Sequence, residues 1–556
     1  MRIATTTYTF KYLRENNYLY VDKTHYIEKL LNHNDNLFFL QRPRRFGKSL
    51  FVSAMISLFK GDSELFEGLA LNSSNYDFTE YPVLHFDLSD LTWKSCSALN
   101  SRLHGWVCDK AKEDFGLSVE NEEKSPSVAL YDLVRKHKIN SQKNSVILVD
   151  EYDVPILKAL KDPDFAMEIA QTLGEFFSTI KKLNQEGFLR FAFVTGVSKF
   201  SMTSIFSGAN VFTDLSENLE YANICGITLE EFDKYLKGDI QKKFAEGLFK
   251  NTEFKTVNDF IKALKDMYDG YTWNYVDKIF NPVSLLNALE NRELDSYWFW
   301  TGTPSFLYKH FKSNKKTSLF LDDVKMPREY LKNQTAADLS LVPLLYQTGY
   351  LTSSLPVKDG VYTLKIPNIE VKNALNFLLT KTFVSKKLGD LYAFGKDLHT
   401  AFKENDEKTI QTSLTKLCSN IKLKRDELCE RTFRIALLCF LQFARIEEVY
   451  SELNLAGGKI DICFMLDDYK AILLELKSLD RSHFHKNNTE LDVSFTESLN
   501  QAERQMNKYY IPLFEKIKAK EIQGIALSTA WRRGVRARIS KKVTREMTQD
   551  DIDKLP

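Results

Sequence analysis

Residues 37–50 read Leu-Phe-Phe-Leu-Gln-Arg-Pro-Arg-Arg-Phe-Gly-Lys-Ser-Leu. An apolar strand is followed by a basic loop and then by a helix-length segment, which is the order of a phosphate-binding loop. In such a loop, backbone N–H groups and the positive end of the helix surround phosphate oxygens, lysine reaches the β- and γ-phosphates, and the hydroxyl binds Mg²⁺. The predicted nucleotide contacts are Arg44, Arg45, Phe46, Gly47, Lys48, Ser49 and Leu50.

Arg42 stands where the usual pattern G-x-x-x-x-G-K-S has its first glycine, and Pro43 follows it. Glycine normally serves there because it adopts backbone conformations that other residues avoid. The turn must therefore form by another route in this chain.

Two later strands end in polar residues that fit such a site. Val146–Asp150 is apolar and is followed by Glu151, so Asp150 is predicted to hold Mg²⁺ and Glu151 to polarise the attacking water. The alternative is a buried strand with a solvated acidic loop. A further strand, Phe191–Thr195, ends in a hydroxyl that either contacts the γ-phosphate or caps the strand.

Length and composition limit the classes of protein that remain. At about 100–200 residues per domain, 556 residues imply three or four domains. A chain with 44% hydrophobic and 27% charged residues is folded and globular. The 76 Lys and Arg residues nearly balance the 74 Asp and Glu residues, which leaves a formal net charge of +2. Any affinity for nucleic acid must therefore come from local basic surfaces.

Strand and helix patterns divide the chain into four predicted domains. Residues 1–226 alternate strands and helices, which favours a parallel α/β sheet. Residues 227–332, beginning with the helix start at Thr228, are predicted as an aromatic-rich helical lid with Tyr297–Trp300 in its core. Residues 333–412 form a connector with a short β pair, and residues 413–556 form a second α/β domain.

Cysteine spacing and apolar runs bear on the location of the protein. The seven cysteines are scattered and never spaced as C-x-x-C, which argues against a disulfide framework or a zinc module. No run approaches the roughly 18 apolar residues of a membrane span. The sequence therefore predicts a cytoplasmic protein without a membrane partner.

The last domain contains a pattern of two carboxylates and a lysine. Asp461 lies at the entrance of one predicted strand, and Glu475 and Lys477 share one face of the next. Phosphodiester cleavage needs a metal held by converging carboxylates and a lysine near the scissile phosphate. A solvated Glu–Lys pair on a strand surface is the alternative.

Three neighbouring features strengthen this pattern. Glu430 lies on the preceding helix as a further candidate metal ligand, and Gln505 and Tyr509 form a Q-x-x-x-Y element on the following helix. The segment Trp531–Arg545 is basic and has no acid. It is predicted either to grip a phosphate backbone through Arg532 and Arg533, with Trp531 stacking on a base, or to be a solvated basic surface.

Several motifs in fixed order resemble one protein family. They are Tyr20-Val-Asp-Lys-Thr24, Arg42-Pro-Arg-Arg-Phe-Gly-Lys-Ser49, Val149-Asp-Glu-Tyr-Asp-Val-Pro155, Ser204-Ile-Phe-Ser-Gly208, Tyr268-Asp-Gly-Tyr271, Asn281-Pro282, Thr301-Gly-Thr-Pro304 and Gln347-Thr-Gly-Tyr350. Together these motifs resemble those of the bacterial AAA-ATPase-like proteins that carry a C-terminal domain of the PD-(D/E)XK nuclease superfamily. The resemblance implies an AAA-type P-loop ATPase domain at 1–226 and a restriction-endonuclease-like α/β domain at 413–556.

These observations lead to one expected function and one alternative. We expect an ATP-binding, ATP-hydrolysing module that uses ATP and Mg²⁺ and is coupled to a Mg²⁺-dependent nuclease acting on DNA more than on RNA. A second copy of the chain, in a homo-oligomer, is a further candidate partner. The alternative is an ATP-driven switch whose last domain binds nucleic acid or a protein without cutting.

Overall fold

The computed structural model describes most of the chain. The described residues are 2–5, 9–73, 76–90, 93–160, 162–199, 212–249, 254–298, 324–332, 340–353, 360–383, 388–420, 429–443, 446, 449–451, 453–455, 458–467 and 469–555. Those up to Lys372 form one compact unit, and those from Asn373 onward form a second. The four domain boundaries inferred from the sequence are finer than this division and stay predictions.

A five-stranded sheet lies at the centre of the first unit. Its strands, in chain order, are β1 Leu37–Gln41, β2 Val83–Asp87, β3 Ser145–Asp150, β4 Leu189–Gly196 and β5 Thr213–Asp214. Their order across the sheet is β2-β3-β4-β1-β5, and each neighbouring pair is parallel. The predicted parallel α/β architecture is confirmed. Because carboxyl ends of parallel strands share one edge, this edge collects the polar residues that follow β1, β3 and β4.

Helices pack on this sheet and bury its apolar faces. They are α1 Phe10–Glu15, α2 Thr24–Leu31, α3 Lys48–Phe59, α4 Cys96–Phe115, α5 Pro126–Ser141, α6 Val154–Ala159 and α7 Pro163–Gln185. Strands β1 and β3 are buried at every position, as expected of parallel strands covered on both faces.

A mostly helical region follows the sheet. Its elements are β6 Ile227–Thr228, α8 Leu229–Tyr235, α9 Lys237–Ala245, α10 Val257–Tyr268, β7 Ile279–Phe280 and α11 Pro282–Asn291. The helix start predicted at Thr228 is confirmed: its hydroxyl accepts from the Glu231 N–H, and the Glu231 carboxylate accepts from the Thr228 N–H.

The rest of the first unit contains a small antiparallel sheet. Its elements are β8 Val324–Pro327, α12 Arg328–Lys332, α13 Leu341–Gln347, β9 Thr352–Ser353 and β10 Val361–Lys365. The predicted β pair is present as β9 and β10. Strand β8 lies in the range predicted as helical lid, yet it pairs with β10 on the other side, a pairing between distant residues that local patterns do not reveal.

Trp298 occupies the core position predicted for the aromatic run Tyr297–Trp300. Its ring is buried and packs edge-on against Tyr350 with centres 4.8 Å apart; residues 299 and 300 lie outside the described residues. The Trp298 N–H donates to the buried Glu370 carboxylate at 2.6 Å. In the described structure the second Glu370 oxygen is buried without a hydrogen-bond partner, and burial raises the pKa of Glu370 to about 7.

This carboxyl group predicts a pH-dependent stability. Because the folded protein binds the Glu370 proton more tightly than the unfolded chain, its contribution is greatest below pH 4.5 and is lost as the pH rises to about 7. The shift corresponds to about 3 kcal/mol. We expect the unfolding free energy of the parent, measured in urea from pH 4.5 to 8, to fall by about that amount relative to Glu370→Gln. Parallel pH profiles for the two proteins would contradict the assignment.

The second unit is a mixed sheet with helices. Helix α14 Ile369–Phe383 begins before the unit boundary. The other helices are α15 Leu388–Glu404, α16 Glu407–Asn420, α17 Glu430–Phe443, α18 Asn488–Met506, α19 Tyr510–Lys516 and α20 Gln549–Lys554. The strands are β11 Val449–Ser451, β12 Asn454–Leu455, β13 Gly458–Lys459, β14 Ile462–Met465, β15 Lys470–Ser478, β16 Glu521–Thr529 and β17 Val535–Thr544.

The main sheet of this unit has the order β11-β14-β15-β16-β17. Strands β15 and β16 are parallel and are joined through α18, whereas the other neighbouring pairs are antiparallel. Asp461, predicted to lie at the entrance of a strand, lies between β13 and β14. In the described parts of the chain, no helix is both long enough and apolar enough to cross a membrane.

Candidate functional site

The phosphate loop joins β1 to α3 at the carboxyl edge of the parallel sheet. Gly47 has φ +95°, in the left-handed region that favours glycine, and helix α3 begins at Lys48. The first N–H groups of a helix have no acceptor within the helix, so they are free to bind phosphate oxygens. The local geometry therefore matches the one expected from the sequence.

Lys48 lies across this loop and is almost fully buried. Its Nζ donates to the Pro43 carbonyl at 3.2 Å and lies 3.8 Å from the Glu151 carboxylate. Burial, followed by the charge of Glu151, raises the pKa of the Asp150 carboxyl to about 6, although Lys48 and Ser49 oppose the shift. Residues predicted from two separate motifs thus meet at one place.

Glu151 has an unusual backbone conformation immediately after β3. Its φ is +53°, which is strained for a residue with a side chain. Its N–H donates to Asp150 Oδ1 at 3.0 Å, and the next N–H, that of Tyr152, donates to the Thr195 carbonyl at 3.1 Å. These bonds hold Glu151 in the strained conformation, and this conformation directs its carboxylate toward Lys48.

A cavity of about 600 Å³ opens beside these residues. One end is polar and is lined by residues 44–49 of the phosphate loop, by Glu151 and by Asp87 at the end of β2. The other end is largely apolar and is formed by Tyr20 and Val21, by residues 224–227, and by Pro282, Val283 and Leu286 of α11. The volume lies in the range of small-molecule sites, about 300–1,000 Å³.

The sequence did not single out the apolar end of this cavity as a site. Tyr20 and Val21 lie before the sheet and α11 lies far beyond it, so only the fold brings them together. The motifs Tyr20-Val-Asp-Lys-Thr24 and Asn281-Pro282 belong to the family resemblance, and they were the signal that could have indicated this end of the cavity. Asp87 could have been noticed, because β2 ends in an acid opposite Asp150.

Thr195 is completely buried at the end of β4. Its hydroxyl donates to the Leu40 carbonyl of the neighbouring strand at 2.8 Å. This geometry favours the interpretation of Thr195 as a strand-stabilising residue over a contact with the γ-phosphate.

The second unit brings together the predicted carboxylates and lysine. Asp461 is buried; its Oδ2 accepts from the Leu476 N–H at 2.8 Å and its Oδ1 accepts from Arg434 at 2.7 Å. Glu475, which is 1% exposed, lies on the adjacent strand and accepts from Lys477 Nζ at 3.2 Å. Asp461 immediately precedes β14, and the pairing of β14 with β15 places both carboxylates at the same point of the sheet.

Charge interactions join Glu430 to this cluster. Burial, then the charge of Asp461, raises the pKa of Glu475 to about 8 although Lys477 opposes the shift. Burial also raises the pKa of Glu430, against the charge of Lys477. The second Glu475 oxygen is buried without a hydrogen-bond partner in the described structure. The four side chains form one electrostatic group.

The same residues bear on metal binding. Within the ranges that the structure describes, no three or more His, Cys, Asp or Glu side chains are grouped so that they could hold a metal ion. Arg434 forms an ion pair with Asp461, so its guanidinium group compensates the carboxylate charge that a metal cation would otherwise compensate. The Glu475 oxygen that lacks a hydrogen-bond partner in the described structure is nevertheless available to a cation, while Lys477 contacts the other oxygen.

The structure also gives the contacts of the residues predicted to bind nucleic acid. Gln505 donates to the Tyr509 hydroxyl at 2.9 Å, and Tyr509 is buried just beyond the end of α18. Arg533 donates to the Lys486 carbonyl and to the Asn488 side chain. The Arg532 side chain lies outside the described residues.

The base-stacking interpretation of Trp531 is wrong. Its ring is 1% exposed and packs against Phe433 with centres 5.9 Å apart. The basic segment is also less charged than its sequence suggests, because several of its cations pair with acids from other elements. These pairs are Arg536–Asp492, Arg538–Glu503 and Lys542–Glu521.

Comparison with known proteins places the first unit in a family. Residues 4–206 match the AAA-ATPase-like family, whose members are predicted AAA-ATPases. The chain is also similar to an uncharacterised protein in the vnfD 5′ region of Azotobacter chroococcum mcd 1, with 32% identity over 481 residues, or 85% of this chain and 88% of that protein. The strand order of the first unit and its phosphate loop agree with this match to the family. The chain belongs to the AAA-ATPase-like family.

Proposed function

We propose that the first unit binds ATP with Mg²⁺ and hydrolyses it. The observation that carries this proposal is that Lys48, Ser49 and Glu151 line the polar end of the 600 Å³ cavity, and that Asp150, next to Glu151, interacts with Lys48 and Ser49. One ammonium group and one hydroxyl from the phosphate loop, together with two carboxylates at the end of β3, match what triphosphate hydrolysis requires.

Each residue has a distinct task in this proposal. The N–H groups that follow Gly47 bind phosphate oxygens, and Lys48 exchanges its contacts with Pro43 and Glu151 for the β- and γ-phosphates. Ser49 and Asp150 would hold Mg²⁺, and this cation would supply positive charge beside the phosphates. Release of Lys48 frees Glu151 to orient and polarise the attacking water.

The apolar end of the cavity suits the base and the sugar. Val21, Ile227 and Val283 offer aliphatic surface there. A flat purine ring buries apolar area between such side chains, and this burial favours a nucleoside triphosphate over inorganic triphosphate.

Glu151→Gln tests the hydrolytic role. We expect the variant to bind ATP as the parent does, while kcat falls by about a hundredfold or more, because the amide cannot accept a proton from water. Steady-state phosphate release and a separate ATP titration check the two parts. The control is Glu186→Gln, an exposed carboxylate that bonds Tyr131. Normal turnover in Glu151→Gln would exclude this role.

We propose for the second unit a Mg²⁺-dependent cleavage of DNA phosphodiester bonds that responds to the nucleotide state. The buried, unpartnered oxygen of Glu475, next to Asp461 and Lys477, is the observation that favours it. Asp461 and Glu475, with Glu430 in support, would hold the metal, and Lys477 would stabilise the charge of the transition state. Arg434 must then yield part of its hold on Asp461.

The alternative is a switch in which ATP changes the conformation of the chain and nothing is cut. The ion pair between Arg434 and Asp461 favours this alternative, since it compensates one carboxylate without a metal. Incubation of the protein with plasmid, linear and single-stranded DNA separates the two functions. Cleavage that requires Mg²⁺ or Mn²⁺ supports the nuclease, and intact DNA with nucleotide-dependent binding supports the switch.

A further inference from the structure

Arg42 replaces the first glycine of the usual phosphate loop, and its guanidinium group is completely buried. The guanidinium carbon lies 4.5 Å from the centre of the Trp273 ring. Its two terminal nitrogens donate at 2.8–3.3 Å to backbone carbonyls, which belong to Gln41, Ser216, Tyr221 and Ala222. The side chain thus points away from the loop and into the segment 216–222.

The chemistry of these contacts requires an arginine. A guanidinium is a planar fork with several fixed donors, so it can satisfy carbonyls in different directions at once, and it stacks on aromatic rings. A lysine ammonium would offer one compact charge in the same space. Burial lowers the pKa of Arg42 to about 10, so the group remains a cation at neutral pH.

Phe46, four residues later, fixes the other end of the same loop. Its carbonyl accepts from the Gly226 N–H at 2.9 Å, and its ring packs edge-on against Tyr271 and Trp273 at 4.7 and 5.3 Å. Gly226 has φ +88°, and a Cβ there would lie 2.2 Å from Ile279 Cγ2. The close approach of the two segments therefore needs glycine at 226.

Both anchors lead to the segment that forms a wall of the cavity. Arg42 binds residues 216–222, Phe46 binds Gly226, and residues 224–227 line the apolar end. We propose that Arg42 is a positioning residue that fixes the phosphate loop to this wall. The proposal rests on the nucleotide site proposed above, but its structural part is independent of ATP.

Hydrogen exchange without nucleotide tests the structural part. In Arg42→Lys, we expect peptides that cover residues 42–50 and 216–227 to exchange at least about tenfold faster, because both lose their shared anchor. The control is Arg190→Lys, since Arg190 also lies over an aromatic ring, that of Tyr81. Unchanged exchange in both segments, or faster exchange in one alone, would overturn the proposal whether or not the protein binds ATP.

Nucleotide binding tests the functional part. Restoring the usual glycine with Arg42→Gly should raise the Kd for ATP by about tenfold or more, since the bonds from a charged donor are lost. Methylguanidinium at millimolar concentration should restore part of this affinity, which a general loss of stability would not allow. If Arg42→Gly does not fold, the Kd of Arg42→Lys serves instead and should rise in the same direction. Parental affinity in the folded variant contradicts the proposal.

Discussion

Lys48→Ala should abolish the stabilisation of the protein by ATP. In the parent, ATP at a hundred times its Kd is expected to raise the unfolding free energy by about 2.7 kcal/mol. The variant lacks the cation that is proposed to contact the phosphates and that offsets the charge of Asp150 and Glu151. Thermal unfolding with and without Mg²⁺ and ATP measures the difference, and ATP turnover should disappear in the same protein.

The control for this experiment lies directly after the same helix. Lys60 follows the last residue of α3 and is exposed, so Lys60→Ala removes one lysine without touching the cavity. Lys48→Met retains the apolar stem of the side chain and separates lost charge from lost packing. An ATP-dependent stabilisation that persists in Lys48→Ala and Lys48→Met would remove Lys48 from the site.

Glu475→Gln should eliminate metal-dependent DNA cleavage. We expect the rate to fall by about a thousandfold, equivalent to ~4 kcal/mol of lost transition-state stabilisation, because the amide cannot compensate a metal charge. ATP hydrolysis should continue, since the phosphate site belongs to the other unit. Gel assays of DNA cleavage and phosphate release from the same preparation give both numbers.

A matched glutamate provides the control for this second prediction. Glu521 lies on the neighbouring strand β16, pairs with Lys542 at 2.7 Å and is remote in register from Glu475. Glu521→Gln should cleave as the parent does. Equal cleavage by Glu475→Gln and the parent would exclude a metal site here, and absence of cleavage in the parent would favour the switch.

The sheet of the first unit was predictable because its information is local. Each of the four main strands is a short apolar run, and Gly47, Lys48 and Ser49 adjoin the run that forms β1. Parallel pairing then brings the ends of β1 and β3 to one edge without further assumptions. For this reason the approach of Lys48 to Glu151 followed from two motifs alone.

The remaining parts of the cavity depend on contacts between distant segments. Arg42 binds carbonyls that lie 174–180 residues further along the chain. No periodicity or motif within the loop indicates these partners. The sequence therefore shows that the first glycine of the loop is missing, but it does not show which contacts hold the loop in its place.

The second unit shows the same limit in another form. Asp461, Glu475 and Lys477 converge as expected, but Arg434, one helical turn after Glu430, was not predicted to pair with Asp461. Trp531 was placed on the surface because its neighbours are basic, whereas its apolar ring is in the core. Charge along a segment does not determine which side chains face inward.

The most direct test of the central claim is a structure of the full chain with Mg²⁺ and a non-hydrolysable ATP analogue. We expect the triphosphate to contact the N–H groups after Gly47 and the Lys48 ammonium, with Mg²⁺ at Ser49 and Asp150 and the base near Val21 and Val283. An analogue bound elsewhere, or a triphosphate that does not contact Lys48, would contradict the account.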